Sequence, residues 1–141
     1  MTIEQDVTSD KSVKESAKIV EKELDGKPLD LLINNAGIAN VGTGVIEGAS
    51  IKNGKTMFEV NTWGMMRVTQ AFLPFIRRGP GKSRIINFAS GAVKANPVGS
   101  GVYNMSKHAV IGLTKTLRNE LAPFGIPVSY THLTLPTNRE V

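Results

Sequence analysis

The chain has 141 residues, enough for one globular domain with its own apolar core. Its formal net charge is +5, but the charges of both signs are interleaved, and the one tight basic group is Arg77, Arg78, Lys82 and Arg84. A group of this size at a helix end is typical of a solvated surface, so we expect no nucleic-acid partner. The absence of cysteine excludes disulfides and thiolate catalysis.

The sequence carries no sign of a membrane or secretory segment. Residues 1–14 are polar, and no run approaches the roughly 18 apolar residues of a membrane span. We therefore expect no signal peptide and no membrane span, with the cytoplasm as the default location. No metal site is expected.

The first third of the chain predicts a helix followed by a strand. Ser9 and Asp10 can cap a helix whose core positions are Val13, Ala17, Val20 and Leu24, with Gly26 as its stop. The apolar run Leu29–Ile33, which ends at Asn34-Asn35-Ala36-Gly37, is typical of a parallel strand buried on both faces. Residues 38–54 are rich in Gly, Asn and Thr, which predicts a loop.

The remainder alternates in the same way. A long helix is predicted to start near Lys55, followed by a strand over Arg84–Phe88, a loop over Ala89–Gly101, a helix over Val102–Leu121 and a strand that begins at Ile126–Val128. Helix and strand in strict alternation predict the α/β class, with a doubly wound parallel sheet and helices on both of its faces. Ligands of such sheets lie beyond the carboxyl ends of the strands.

Tyr103 and Lys107 are the first candidates for chemistry, because four residues of helix put them on one face. An ammonium beside a phenol favours the phenolate, and such a phenol can exchange a proton with a carbonyl or alcohol oxygen. A bare pair at this spacing is usually incidental, so the interpretation depends on further residues.

Ser90 and Asn61 are the next candidates, and each has two interpretations. Ser90 lies thirteen residues before Tyr103 at a predicted strand end. Its hydroxyl could bond a substrate oxygen that Tyr103 also touches, or it could only make a local turn. Asn61 lies inside an apolar helix, where Asn is unfavourable. It is either an exposed residue or a buried amide that bends the helix and holds a water.

Five motifs in order resemble the short-chain dehydrogenase/reductase family over roughly Asp6–Val128. Asn34-Asn35-Ala36-Gly37 is similar to its N-N-A-G motif, and Tyr103-Asn104-Met105-Ser106-Lys107 to its Y-x-x-x-K motif. Ser90 and Asn61 fall where the family has its catalytic serine and its helix asparagine. Asp6-Val7 resembles the Asp-Val pair at the end of the third strand.

The resemblance implies an NAD(P)-dependent oxidoreductase with a Rossmann-like fold that acts on a carbonyl/alcohol substrate. Tyr103 would be the general acid/base, Lys107 would favour its ionised form and hold the nicotinamide ribose, Ser90 would orient the substrate oxygen, and Asn61 would bind a relay water. Asn34, Ala36 and Gly37 would lie beside the adenosine ribose and stabilise the sheet, and Asp6 and Val7 would face the adenine. The resemblance also implies a homo-dimer or homo-tetramer.

Both ends depart from the family pattern. The glycine-rich turn T-G-x-x-x-G-x-G, which approaches the pyrophosphate, is absent, and no Pro-Gly follows the strand at Ile126–Val128. We expect a partial domain over residues 1–128, without the first strands and the C-terminal part, and a tail over residues 129–141 that does not resemble the family. The alternative function is a non-catalytic nucleotide-binding or regulatory protein on the same fold.

Overall fold

The computed structural model of the chain describes residues 1–39 and 44–131. Helix α1 spans Asp10–Leu24, α2 Ile51–Phe58, α3 Met65–Ile76, α4 Ala92–Ala95 and α5 Gly101–Leu121, and a π-helix over Glu59–Gly64 joins α2 to α3. The strands are β1 (Leu31–Asn34), β2 (Arg84–Phe88) and β3 (Val128–Thr131). Residues 40–43 of the predicted loop and residues 132–141 of the predicted tail lie outside the described residues.

The three described strands form one parallel sheet in the order β1-β2-β3, which confirms the α/β class. Leu31 pairs with Arg84 and Asn34 with Asn87 in one register, and Ile85 pairs with Val128 in the other. Because parallel strands end at the same edge, the residues after Asn34 and after Phe88 lie close together. Strand β3 continues past Val128, so residues 129–131 of the predicted tail belong to the sheet.

The core lies on one face of this sheet. Residues of α1, α3 and α5 pack on the same strand positions in a single cluster, which includes Val13, Phe72, Ile85, Leu117 and Val128. The opposite face is open in the described structure, since Leu31 is 41% exposed and Ile33 is 50% exposed. The expectation that strand β1 is buried on both faces is therefore wrong for the described residues. These residues form a helical layer on only one face of the sheet.

The element boundaries differ from the prediction at two places. Helix α2 starts at Ile51, four residues before the predicted start, because the Ser50 hydroxyl accepts a hydrogen bond from the Asn53 amide and caps it. Gly54 is tolerated inside this helix because α2 lies against α5 there, and a Cβ on Gly54 would be 3.1 Å from Val102. The predicted loop over Ala89–Gly101 contains the short helix α4.

Two arginines of the basic group lie over aromatic rings. The Arg77 guanidinium is 4.7 Å from the Phe124 ring centroid, and that of Arg78 is 5.0 Å from the Phe75 centroid. Arg78 also donates to Glu21 at 2.8 Å. These contacts belong to the end of α3, where the sequence predicted a helix end.

Candidate active site

A buried ammonium marks the carboxyl end of β2. Lys107 on α5 is 5% exposed, and its Nζ donates a hydrogen bond to the Phe88 carbonyl at 3.0 Å. The same Nζ lies 5.9 Å from the centroid of the Tyr103 ring, so the structure brings together the two residues that the helical spacing predicted. Burial lowers the pKa of Lys107, because the charged ammonium loses hydration.

Gly37 lies beside this ammonium and beside Asn61. A Cβ placed on Gly37 would lie 3.3 Å from Lys107 Nζ and 3.2 Å from Asn61 Oδ1. Both distances are tighter than ordinary carbon contacts, so any side chain here would force its neighbours to move. The backbone after β1 therefore passes beside Lys107 because position 37 is glycine.

Asn61 is the buried amide that the second interpretation described. It is 1% exposed and lies in the π-helix, an irregularity that is often found at functional sites. Its Oδ1 accepts from the Ile38 amide at 2.8 Å, and its Nδ2 donates to the Ile38 carbonyl at 2.9 Å. This reciprocal pair fixes the loop after β1 to the helix. Whether Asn61 also holds a water stays a prediction.

Ser106 is a residue of the site that the sequence analysis did not single out. It is fully buried, its Oγ donates to the Tyr103 carbonyl at 2.7 Å, and the same oxygen accepts from Asn61 Nδ2 at 3.0 Å. It therefore connects the turn of α5 that carries Tyr103 to the π-helix. The available signal was its position, one helical turn after Tyr103 and directly before Lys107.

Ser90 follows Phe88 by two residues and is half-buried. Its Oγ accepts a hydrogen bond from the Ala92 amide at 3.2 Å, which is the local turn that one interpretation expected. A serine hydroxyl has one donor site and two acceptor sites, so this bond does not decide between the two interpretations. The role of Ser90 in chemistry stays a prediction.

Asn34 faces the core at the end of β1. Its Nδ2 donates to Thr69 Oγ1 at 3.0 Å and to Asn87 Oδ1 at 2.8 Å, and Asn87 Nδ2 donates to Thr114 Oγ1 at 2.9 Å. This chain of buried amides and hydroxyls connects α3, β1, β2 and α5. The residues Asn35, Ala36 and Gly37, which follow it, are exposed.

Asp6 and Val7 lie beside the end of the π-helix. A Cβ on Gly64 would be 2.8 Å from Val7 Cγ2, and Arg67 Nη1 donates to the Val7 carbonyl at 2.6 Å. Asp6 is exposed, and its pKa is lowered because its carboxylate accepts hydrogen bonds from the side chain and backbone of Thr8. The contacts of the described structure therefore place Val7 against Gly64 and Arg67.

The comparison with known proteins decides the family. The family model described as short chain dehydrogenase matches residues 1–135. This chain belongs to the short-chain dehydrogenase family. The matched range extends past the boundary at residue 128 that the sequence suggested.

The relatives and solved structures of this family agree with the fold. The chain is 37% identical to the short-chain dehydrogenase ptmH of Penicillium ochrochloron, over 87% of this chain and 44% of that protein. It is 35% identical to the mitochondrial D-beta-hydroxybutyrate dehydrogenase of Bos taurus, over 91% of this chain and 37% of that protein. NADPH-bound carbonyl reductase from chicken fatty liver superposes with a TM-score of 0.83 at 30% identity, over 92% of this chain and 56% of that chain.

A second solved structure, NAD+-bound xylitol dehydrogenase, superposes with a TM-score of 0.82 at 28% identity, over 91% of this chain and 48% of that chain. The chain therefore spans less than half the length of the curated relatives compared with it. The likeness covers the parallel sheet, the helical layer and the helix with Tyr103 and Lys107.

Across residues 1–39 and 44–131, no three side chains among His, Asp and Glu come together in a way that could hold a metal ion. Among the helices of that same part, none combines the length and the apolar character that crossing a bilayer requires.

Proposed function

We propose that this chain carries the catalytic centre of an NAD(P)-dependent oxidoreductase that moves a hydride between the nicotinamide and a carbonyl/alcohol substrate. One observation carries the proposal: Lys107 Nζ is buried at the carboxyl end of β2, 5.9 Å from the Tyr103 ring centroid. A lysine is costly to bury, and this one has a phenol as its neighbour. Membership of the short-chain dehydrogenase family supports the same activity.

The residues around Lys107 fit a sugar diol of the cofactor. An ammonium has three N–H donors, and the hydrogen bond to the Phe88 carbonyl uses one of them. Two donors are left for ribose hydroxyls, beside the glycine backbone at position 37. We propose that Lys107 and Tyr103 hold the nicotinamide ribose, with Gly37 beside the same ribose and Ala36 on the side of the adenosine ribose, while the Asn34 amide supports the sheet next to them. Asp6 and Val7 would face the adenine.

The solved structure of xylitol dehydrogenase has NAD+ bound and that of carbonyl reductase has NADPH bound, which supports this cofactor class. When bound, the cofactor supplies or accepts the hydride. In the reduction direction, the Tyr103 hydroxyl gives its proton to the substrate oxygen, and the Lys107 ammonium stabilises the phenolate that remains. Ser90 donates a hydrogen bond to the same oxygen and fixes its position. Oxidation reverses the proton transfer. Asn61 binds the water through which Lys107 exchanges protons with solvent.

Tyr103→Phe tests the proposal in the full-length protein. The assay is turnover of NADH or NADPH with a panel of ketones and aldehydes. The variant keeps the ring packing and removes the proton donor, so kcat should fall by roughly 10²–10⁴. Tyr130→Phe is the matched control, because Tyr130 is the only other tyrosine of the chain and lies on β3. Unchanged turnover in Tyr103→Phe would reject the acid/base role, and no turnover in the unmutated protein would favour the non-catalytic alternative.

We also propose that the protein forms homo-oligomers through the two long helical stretches, about Lys55–Arg78 and Val102–Leu121. A groove of about 560 Å³ between α2 and α5 supports this, since its lining is largely apolar and includes Trp63, Met105 and Phe58. Trp63 is 52% exposed and Met105 is 58% exposed, which is unusual for large apolar side chains. Trp63→Glu should therefore shift sedimentation toward the monomer, and unchanged sedimentation would count against this interface.

A further inference from the structure

Helix α4 follows Ser90 and is too short to hold its own position. It has four residues, Ala92–Ala95, whereas isolated helices become stable only at about 12–15 residues. The Ser90 hydroxyl accepts from the Ala92 amide, and one side chain of α4, that of Val93, is buried. Because Ser90 is bonded to α4, whatever attaches the other end of α4 to the rest of the fold also acts on the placement of Ser90.

That attachment is a pair of asparagine side chains. Asn96 ends α4 in the left-handed conformation, with φ at 47°, and its Oδ1 accepts a hydrogen bond of 2.7 Å from Asn104 Nδ2. Asn104 is the residue after Tyr103, in the first turn of α5, and its backbone amide donates to the Ser100 carbonyl at 2.8 Å. The pair joins the segment that begins with Ser90 to the helical turn that carries Tyr103.

The Oδ1 atom of the Asn104 side chain argues against a role in stability alone. Asn104 is 8% exposed, and its Oδ1 has no hydrogen-bond partner among residues 1–39 and 44–131. A buried carbonyl oxygen without a partner costs free energy, which offsets much of what the bond to Asn96 contributes. An apolar side chain of the same size should therefore be tolerated in terms of thermal stability.

We propose that Asn104 is a positioning residue, which sets the distance and orientation of Ser90 relative to Tyr103 by fixing Asn96 at the end of α4. The inference rests on the proposed function, because Ser90 and Tyr103 act on a common substrate oxygen there. Asn104 itself contacts neither substrate nor cofactor. It acts through Ser90, so its effect disappears when the Ser90 hydroxyl is absent.

Asn104→Leu in the full-length protein tests the proposal, with NAD(P)H turnover and thermal unfolding measured on the same samples. We expect a Tm close to that of the unmutated protein and a kcat that is lower by roughly three- to tenfold, the equivalent of one hydrogen bond. Asn96→Asp preserves both the acceptor oxygen and the tolerance for positive φ, so it should retain most of the activity. Asn119→Leu is the matched control, an exposed asparagine farther along α5.

The double variant Ser90→Ala with Asn104→Leu separates positioning from general damage. If Asn104 acts through Ser90, the double variant has the kcat of Ser90→Ala alone. A further loss of the same three- to tenfold in that background would overturn the proposal, and so would an Asn96→Asp loss as large as that of Asn104→Leu.

Hydrogen exchange keeps the test independent of turnover. Amides of Val93–Asn96 should exchange faster in Asn104→Leu than in Asn119→Leu, because α4 is released from α5. Equal exchange in the two variants would reject the attachment, even with an active enzyme. Faster exchange together with an inactive unmutated protein would uphold the attachment and reject the proposed function instead.

Discussion

Lys107 is buried at an energetic cost and has few hydrogen-bond partners. Its ammonium is removed from water, donates to one carbonyl and lies beside a phenol, while Gly37 leaves room next to it. A charge held in this way is poised to interact with a group that arrives from outside, since it cannot satisfy itself by moving into solvent. The destabilising burial and the proposed catalytic role are thus two consequences of one geometry.

The pH dependence of stability should report this burial. Because the pKa of Lys107 is lower in the folded than in the unfolded chain, the folded state loses the proton first as pH rises. The unfolded state then binds more protons, so the free energy of unfolding from this group rises with pH across the interval between the two pKa values.

Lys107→Met isolates that contribution. At neutral pH the variant should unfold at a higher temperature than the unmutated protein, by roughly 4 °C for each kcal/mol of burial cost removed. The gap should narrow as pH approaches the ordinary lysine pKa. Lys115→Met, at an exposed position of the same helix, should show no such trend. A constant gap across the alkaline range would contradict the lowered pKa.

Ser106 should matter more for chemistry than its size suggests. Ser106→Ala removes the bond to the Tyr103 carbonyl and leaves Asn61 Nδ2 with the Ile38 carbonyl as its partner. We expect a loss of about 1 kcal/mol in the free energy of unfolding and a several-fold lower kcat in the full-length protein. Urea unfolding and NAD(P)H turnover measure the two effects. Ser129→Ala, at an exposed position, should change neither, and an unaltered kcat in Ser106→Ala would remove Ser106 from the site.

At the scale of elements, a chain of buried amides and hydroxyls connects α3, β1, β2 and α5. Asn34→Ala removes two buried hydrogen bonds and leaves Asn87 Oδ1 without its donor. We expect the free energy of unfolding to fall by about 2–3 kcal/mol, as measured by urea unfolding. Asn35→Ala, one residue later and exposed, should change it by less than about 0.5 kcal/mol. Equal effects at both positions would show that the chain of amides contributes little.

Whether an element could be predicted depended on whether the interactions that form it are local in the sequence or tertiary. Apolar periodicity and cap residues are local, so α1 and β2 were predicted within a residue of their observed bounds. The start of α2 was missed because glycine and asparagine lower helix propensity, whereas contact with α5 at Gly54 restores the helix. Helix α4 was missed because the Asn96–Asn104 bond that holds it is tertiary.

The residues of the candidate site also fall into those that local spacing predicts and those that only tertiary contacts reveal. Tyr103 and Lys107 could be paired from the sequence because helical spacing is local. Ser106 and Asn104 could not be assigned, since the partners that join them to other elements, Asn61 and Asn96, are forty-five and eight residues away along the chain. The resemblance implied that Asn34 both stabilises the sheet and lies beside the cofactor. Its bonds to Thr69 and Asn87 agree with the first role, and the second stays a prediction.

At the scale of the whole molecule, the sheet has one covered and one open face in the described residues. Leu31 and Ile33 point to the open face, and Ile86 and Phe88 of β2 are only partly buried there. Strand β1 is also at the edge of the described sheet, so its backbone groups on one side lack a strand partner there. An apolar edge strand with an open face is a template for association with further chains.

We therefore expect the 141-residue chain, expressed alone, to self-associate through β1. Ile33→Thr should raise the monomer fraction in analytical ultracentrifugation, because it reduces the apolar surface at a position that is 50% exposed while it keeps a β-branched side chain. Its Tm should change little, since the position contributes little to the core. Val98→Thr is the control, because Val98 is 91% exposed on a turn away from the sheet and should leave association unchanged. A monodisperse unmutated chain with a cooperative melt would contradict the expectation, and equal effects of both variants would assign the association to general hydrophobicity rather than to β1.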